Sequence, residues 1–340
     1  MLEFRALPAD EVPWQRLNTF TDRTVFQTRE WLNFIAETQR GTPIVAELRD
    51  GSSTAGYFSG VLIRKFGVRI LGSSFPGWTT PYIGFNLLPG AFTRSEALEA
   101  LRRWAFDELG CLHFEVSDWQ FRNEGTKAPA LDETAYESYE SDLTRTEDEL
   151  FGSMDSACRR CIRKAEKSGV TIEHATDAGF ADEYYEQLKD VFAKQGRVPT
   201  YDAARVRSLV RHLQPTGNVL LVRARDPEGR AIATGIYPGL NEVAQFWGNA
   251  SWRSGQQWRP NEALHWYAMR YWKQRGVKFF DWGGGGEYKE KYGVRPLSVP
   301  WFCKSRYRIM TVARNEARVL YYRSQRLVGR LRGVADPVKT

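Results

Sequence analysis

The chain has 340 residues, of which 42% are hydrophobic and 26% are charged, and its formal net charge is +7. These values are typical of a globular chain and exclude an intrinsically disordered or collagen-like one. No apolar run reaches the roughly 18 residues of a membrane-spanning helix, and the first residues lack the apolar core of a signal peptide, so we predict a cytoplasmic protein.

The first part of the chain alternates between helical and extended patterns. In order, the pattern predicts a helix over 26–39, strands over 43–49 and 54–64, a strand from Arg69, a helix over 93–109 and a strand over 111–117. Residues 72–82 form a loop rich in glycine, proline and aromatic residues. Residues 121–140 are polar and include Pro129, which predicts a linker.

A second series of elements follows. The pattern predicts a helix over 146–168, a strand over 170–174, helices over 179–195 and 202–213, a hairpin pairing 218–225 with 230–237, a strand over 243–248, a helix over 261–275 and a strand over 277–282. In the first of these helices, Cys158 and Cys161 have the spacing of a zinc half-site. Two further ligands at suitable spacing are missing, so we expect no metal.

One unit occurs twice, at an offset of 166 residues. Glu96-Ala97-Leu98 has its counterpart in Glu262-Ala263-Leu264, and further along the chain a glycine, a phenylalanine and a closing carboxylate also coincide. Internal repetition indicates two similar units in tandem. We therefore predict an α/β (α+β) fold of two domains, 1–135 and 136–305, with mixed, largely antiparallel sheets flanked by helices and a cleft between the halves.

The basic character of the chain is concentrated at its end. Residues 304–340 carry ten Lys or Arg against Glu316 and Asp336. Their rough helical periodicity predicts a basic C-terminal helix over 306–340. Three interpretations stay open: a solvated basic face, docking on an anionic membrane surface or glycolipid at the inner face of the membrane, and contact with RNA.

The strongest local signal is the segment 281–293, in which a strand ends in Asp281, four glycines follow, and Tyr288-Lys289 comes next. Glycines in a row indicate a sharp turn or the close approach of another group. The P-loop pattern is not satisfied. A lysine here could donate to a carbonyl, a carboxylate or a phosphate, and a fixed ammonium beside a developing oxyanion suits acyl transfer. A flexible connection with solvated lysines is the alternative.

Two motifs give the chain a family resemblance. The segment 157–169 is similar to a basic helix of the FemAB-related, BioF2-like acyltransferases, which belong to the GNAT superfamily and contain two GNAT-like units. The D-x-G-G…Y-K-x-x-[FY]-G signature of that family is matched by Asp281, Gly283, Gly284, Tyr288, Lys289, Tyr292 and Gly293. The resemblance covers roughly residues 20–305.

The resemblance implies an acyltransferase that forms an amide by direct transfer. The acyl group would pass from a thioester, such as acyl-CoA, to an amine of an amino sugar, a nucleotide sugar or a lipid-linked glycan of the cell envelope. No tightly bound cofactor is expected. Two alternatives stay open: a Fem-type enzyme that uses aminoacyl-tRNA, and a non-catalytic glycan-binding protein on the same fold.

Position and chemistry suggest roles for the signature residues. Lys289 would stabilise the oxyanion, Tyr288 would donate to the leaving group, and Asp281 would orient the amine or take its proton. A carboxylate that caps the glycine turn is the alternative for Asp281. His265 is assigned to substrate binding, although a histidine next to Trp266 is more typical of a packed side chain.

The remaining candidates are assigned to substrate binding. Arg159, Arg163 and Lys164 recur at helical spacing and suit a phosphate-bearing substrate, unless they form a solvated basic face. Aromatic residues in the two matching loops could form sugar-stacking or acyl-lining walls, although core packing is the default for each. These aromatic residues, with two asparagines beside the second loop, are Trp78, Tyr82, Trp247, Asn249 and Asn261.

Overall fold

One continuous mixed sheet with helices on its faces organises the chain. The computed structural model describes residues 2–307 and 309, apart from 66, 76, 91 and 194–196. The first half contains β1 (Leu2–Leu7), α1 (Trp14–Leu17), α2 (Arg29–Thr38), β2 (Thr42–Asp50), β3 (Ser53–Lys65), β4 (Val68–Gly72), β5 (Gly84–Leu87), α3 (Arg94–Arg103), β6 (His113–Ser117) and α4 (Phe121–Glu124).

Among the described residues, the rest of the chain follows a similar plan with one more helix and two more strands. It contains β7 (Asp132–Asp142), α5 (Glu147–Ser153), α6 (Ser156–Lys167), β8 (Thr171–His174), α7 (Phe180–Ala193), α8 (Ala203–Leu213), β9 (Val219–Arg225), β10 (Ala231–Leu240), β11 (Val243–Gln245), β12 (Gly248–Ser251), α9 (Pro260–Gln274), β13 (Phe279–Asp281) and β14 (Arg295–Ser305). Short 3₁₀ helices at Arg253–Trp258 and Glu287–Tyr292 flank the last part of this unit.

The internal repeat is a repeat of structure. Helices α3 and α9 start 166 residues apart, and so do strands β6 and β13. In each half this strand pairs in parallel with the second strand before the helix, β4 with β6 and β11 with β13. The other strand pairs are antiparallel, as expected from the sequence, and the fold is the predicted mixed α/β architecture.

The two halves exchange their final strands. The sheet order is β1-β2-β3-β4-β6-β14-β7-β13-β11-β10-β9-β8, with β5 on β3 and β12 on β10. Strand β7 leaves the first half and pairs with β13, whereas β14 leaves the second half and pairs with β6. The pair β14–β7, in register from Arg295–Glu140 to Cys303–Asp132, therefore joins the halves at the centre of the sheet.

The predicted linker 121–140 is wrong, because α4 and most of β7 occupy it. The segment is polar because its inward side chains form hydrogen bonds rather than an apolar core. Ser138 and Glu140 are buried, and both make polar contacts inside the sheet. The division into domains 1–135 and 136–305 stays a prediction.

Two other predicted elements are broken. The helix over 146–168 is two helices, since Met154 is extended (ψ 150°) and the Asp155 carboxylate accepts from the Cys158 amide at 2.6 Å to start α6. The strand over 243–248 is split into β11 and β12. Both pair with β10, but only β11 also pairs with β13. The predicted C-terminal helix over 306–340 lies almost entirely outside the described residues.

The core between the halves is shared. Trp31 and Phe34 of α2 belong to one apolar cluster with Leu209 of α8 and with Leu297 and Val299 of β14. Two further clusters pack α3 on the first half of the sheet and α9 on the second. In the described part of the chain, no helix has the length and apolar character needed to cross a membrane.

Candidate active site

Asp281 ends β13 at the junction of the halves and is completely buried. Its carboxylate accepts from Ser138 Oγ at 2.7 Å, from the Gly283 amide at 2.9 Å, and from Tyr82 OH and Gln245 Nε2 at 3.2 Å each. Burial raises the pKa of Asp281, although these donors oppose the shift. The carboxylate thus caps the start of the glycine turn, and Tyr82 of the first half takes part in holding it.

The glycine turn over 283–286 needs glycine at defined positions. Gly283 and Gly284 have φ values of 70° and 77°, and a Cβ on Gly283 would lie 2.5 Å from the Phe246 carbonyl oxygen. The Gly284 amide donates to Tyr136 OH at 2.9 Å and to Ser138 Oγ at 3.1 Å. Strand β7 therefore supports both the carboxylate and the turn.

Lys289 closes the glycine turn from the other side. Its Nζ donates to the carbonyl oxygens of Trp282 at 2.7 Å and of Gly283 and Gly284 at 2.8 Å each. These three acceptors use all three N–H bonds of the ammonium, which is 2% exposed. Burial lowers the pKa of Lys289 to about 8, against the opposing charge of Asp281. Tyr288, by contrast, is 56% exposed.

His265 lies in an aromatic cluster. Its Nδ1 is 2.9 Å from Tyr237 OH, and its ring centroid is 4.6 Å from that of Phe246 and 5.3 Å from that of Trp282. Burial, with the nearby lysine charges, lowers the pKa of His265 to about 3, so the ring is neutral near pH 7. The structure does not bring this histidine to an open surface.

The three basic residues of α6 that were predicted to bind substrate lie in three environments. Arg159 donates to the Gly152 carbonyl oxygen at 2.7 Å and so holds the end of α5. The Arg163 guanidinium lies 5.2 Å from the Phe151 ring centroid, and Lys164 is exposed. Of these three predicted residues, Arg163 and Lys164 remain open to a ligand.

The predicted aromatic and amide residues also fall into different places. Trp78 is half-buried against Phe75, with ring centroids 4.9 Å apart. Asn249 donates to Asn261 at 3.0 Å, which links β12 to the first turn of α9. These two asparagines therefore fix the entry to α9.

Trp247 lies beside two tyrosines and has an indole N–H that is unpaired within the described part of the chain, a feature that the sequence did not predict. Its ring packs on Tyr201 and Tyr184, with centroids 5.4 Å and 6.4 Å apart, and its buried Nε1 has no hydrogen-bond acceptor among the described residues. An unpaired buried donor is uncommon in a folded protein.

Arg205 of α8 lies next to the same tyrosine. Its guanidinium carbon is 5.6 Å from the Tyr201 ring centroid and 5.9 Å from that of Phe34, and one Nη donates to Thr79 Oγ1 at 2.9 Å. Its Nε is buried without an acceptor, and no described carboxylate lies within 4 Å. Burial lowers the pKa of Arg205.

Sequence reasoning missed Arg205 because its neighbours come from α2, the loop 73–82 and α8, which only the fold brings together. The polar partners of Asp281 on β7 had a usable signal. Tyr136, Ser138 and Glu140 alternate with the period of a strand, although the segment is too polar to suggest one.

Comparisons with known proteins agree with this architecture. Residues 152–292 match the family model of the acetyltransferase (GNAT) domain. No curated protein matches the chain. The solved structure of FemX has a TM-score of 0.71 at 13% identity, over 88% of this chain and 96% of that one.

Two other solved structures are similar at lower scores. A conserved protein of unknown function from Bacteroides thetaiotaomicron VPI-5482 has a TM-score of 0.57 at 12% identity, over 89% of this chain and 99% of that one. L-PGS from Bacillus licheniformis has a TM-score of 0.51 at 12% identity, over 89% and 97%. At these identities the likeness shows a shared fold. The chain therefore shares the fold of FemX, and its residues 152–292 match the model of the acetyltransferase (GNAT) domain.

Proposed function

We propose that the protein forms an amide by direct transfer of an acyl group from a thioester, such as acyl-CoA, to the amine of an amino sugar or of another cell-envelope glycan precursor that carries an anionic group. The match of residues 152–292 to an acetyltransferase domain carries the proposal. Direct transfer needs the two substrates aligned and the carbonyl polarised, without a covalent enzyme intermediate.

We place the binding site of the acyl donor in the second half, where β11 and β13 separate. In each half, one more backbone hydrogen bond follows the last residue pair of the parallel strands. The Ser73 amide donates to the Glu115 carbonyl oxygen at 2.9 Å after β4–β6, and the Phe246 amide donates to the Asp281 carbonyl oxygen at 2.8 Å after β11–β13. Beyond this last bond the chain stays paired with β10 through β12, and the pairing with β13 ends. Separating strands leave backbone groups with which an extended amide-bearing donor can pair.

The first half is closed at the corresponding place. The Phe75 ring packs so tightly on Gly72 that a Cβ there would lie 2.4 Å from it. Two residues after Phe246 the second half has Gly248, and the Tyr184 hydroxyl lies beside it. A polar group thus stands where the first half has a phenyl ring, which favours one donor site per chain.

We place the binding site of the acceptor amine between α8 and the loop 73–82. Arg205 Nε and Trp247 Nε1 are two donors without acceptors among the described residues, and Tyr201 and Trp78 add aromatic faces. A partly desolvated guanidinium without a carboxylate partner favours an anionic ligand group. A carboxylate or phosphate on the acceptor fits this chemistry, and the aromatic rings suit a sugar.

The signature residues receive revised roles. The fully paired Asp281 carboxylate and Lys289 ammonium hold the glycine turn. The exposed Tyr288 hydroxyl is the group proposed to give its proton to the leaving thiolate and to regain one from the amine as the C–N bond replaces the C–S bond. The turn itself, with its backbone fixed from both sides, positions the reacting carbonyl.

The test incubates the purified protein with acetyl-CoA, longer acyl-CoAs or charged tRNA, and with amino sugars with or without a phosphate or carboxylate. Mass spectrometry identifies the product. We expect amide products from acyl-CoA and an anionic acceptor. If product formed only with charged tRNA, the donor would be an aminoacyl-tRNA instead of a thioester. If no pair of substrates gave a product, the proposal would be contradicted.

Arg205→Gln tests the acceptor site. Loss of a charge-assisted hydrogen bond should raise the KM for the anionic acceptor by about tenfold or more and leave the KM for the donor unchanged. Arg207→Gln is the matched control, because Arg207 lies on the same helix and pairs with Asp182 at the surface. Equal KM values in the two variants would remove Arg205 from the site.

A further inference from the structure

A basic cavity lies where β14 ends. Its volume is about 380 Å³, and Arg102, Lys304 and Arg306 line it together with Phe106 and Asp107. Two of the cations are partly compensated, since Arg306 lies 3.6 Å from Asp107 and Arg102 pairs with Glu99 at 2.6 Å. Lys304 has no ion pair with a described carboxylate, so the cavity keeps a positive charge.

Exposed apolar side chains stand beside this cavity. Four large hydrophobic residues are strongly exposed in the described part of the chain. Two of them, Tyr307 at 55% and Ile309 at 77%, lie one and three residues after Arg306. The sequence continues the same composition to residue 340, with apolar residues interleaved among arginines. We call residues Lys304, Arg306, Tyr307 and Ile309, with Arg102, the exit surface.

We propose that the exit surface docks on a lipid bilayer that contains anionic phospholipids. Cations near such a surface are attracted by its negative potential, and apolar side chains gain by entering the interface. Tyrosine suits the boundary between water and acyl chains, because its ring is apolar and its hydroxyl polar. The exposed Ile309 favours a lipid over RNA, since an aliphatic side chain adds little to binding a phosphate backbone.

The exit surface is far from the glycine turn. At the first residue of β14, Arg295 pairs with Glu140 of β7, which on its other side pairs with Asp281 of β13 beside the glycine turn. At the last residue of β14, Ser305 pairs with His113 of β6. The 11 residues of β14 span about 35 Å at roughly 3.3 Å per residue. Docking is therefore separable from the acyl transfer proposed above, and each can fail without the other.

The test is sedimentation of the full chain with vesicles of phosphatidylglycerol and phosphatidylcholine, against vesicles of phosphatidylcholine alone. We expect binding that requires phosphatidylglycerol and weakens as salt rises from 0.05 to about 0.5 M, because salt screens surface charge. Lys304→Gln should weaken binding about fivefold, the effect of one cation near an anionic surface. Ile309→Ser should weaken it without changing the salt dependence.

Lys189→Gln is the control, since Lys189 is an exposed lysine on α7 paired with Glu186. This variant should bind vesicles as tightly as the unaltered chain. All three variants should transfer the acyl group to a soluble acceptor at the rate of the unaltered chain. Vesicle binding that is absent, that ignores lipid charge, or that is the same in Lys304→Gln and Ile309→Ser as in the control would overturn the proposal. Binding to an RNA duplex in place of vesicles would overturn it as well.

Discussion

The Lys289 ammonium is buried among carbonyl oxygens, and no described carboxylate forms an ion pair with it. Removing a charged donor leaves those oxygens without a partner, which costs about 2 kcal/mol. Lys289→Met should therefore lower the free energy of unfolding by about that amount and abolish acyl transfer. Urea unfolding and the kcat of the same preparation measure both effects.

Lys291→Met is the comparison, because the Lys291 ammonium pairs with Glu262 at 2.7 Å near the surface. Such a pair contributes less than about 1 kcal/mol. If Lys289→Met lost activity with unchanged stability, the ammonium would act on the oxyanion directly, as first expected, instead of holding the turn.

The neutral state of His265 predicts a pH dependence of stability. Its pKa is lowered from 6.5 to about 3, so between these values the unfolded chain binds a proton that the folded chain does not. The free energy of unfolding should then fall as pH falls from 6.5 toward 3, by about 1.4 kcal/mol per pH unit from this group. Urea unfolding at pH 7, 6, 5 and 4 measures it.

The double variant His265→Phe, Tyr237→Phe isolates this contribution, because it removes the histidine and its hydrogen-bond partner together. Other groups titrate alike in both proteins, so the difference between the two pH profiles belongs to His265. Parallel profiles would show that the histidine takes up its proton at the same pH in the folded and the unfolded chain.

At the scale of elements, the sequence predicted those helices, strands and turns that have a periodic apolar pattern or a distinctive local composition. Helices α3 and α9 and strands β6 and β13 could be predicted from a repeat of matching residues, and the glycine turn from its composition. Strand β7 could not, because Ser138 and Glu140 face a polar interior that the rest of the fold creates. The contact of Tyr82 with Asp281 joins residues 199 positions apart, and no local pattern encodes it.

The glycine turn gives a prediction at this scale. Gly283→Ala places a Cβ 2.5 Å from the Phe246 carbonyl oxygen at a positive φ, so it should destabilise the chain by about 2 kcal/mol and reduce kcat. Gly285→Ala should be tolerated, because no atom of the residues that the structure describes lies within 4 Å of its Cβ and its φ is not positive. Thermal unfolding and the acyl-transfer assay compare the two. Equal effects would mean that the turn is flexible.

At the scale of the molecule, the exchanged strands explain why the site lies where it does. Because β7 pairs with β13, side chains that follow the first half in sequence surround the carboxylate of the second. Because β14 returns to β6, the first half has a complete sheet only when the last strand of the second half is present. The halves are similar units by sequence, yet each is finished by the other.

This arrangement predicts one cooperative unfolding transition for the whole chain. The shared apolar cluster and the central β14–β7 pair must break together if either half unfolds. Far-ultraviolet circular dichroism and tryptophan fluorescence should therefore report the same urea midpoint. A fragment of residues 1–135 should not fold alone, since it ends within β7 and lacks β14, which leaves an edge of β6 unpaired. Two separated transitions, or a folded fragment, would show instead that the first half is an independent domain and that the exchange of strands only joins two finished units.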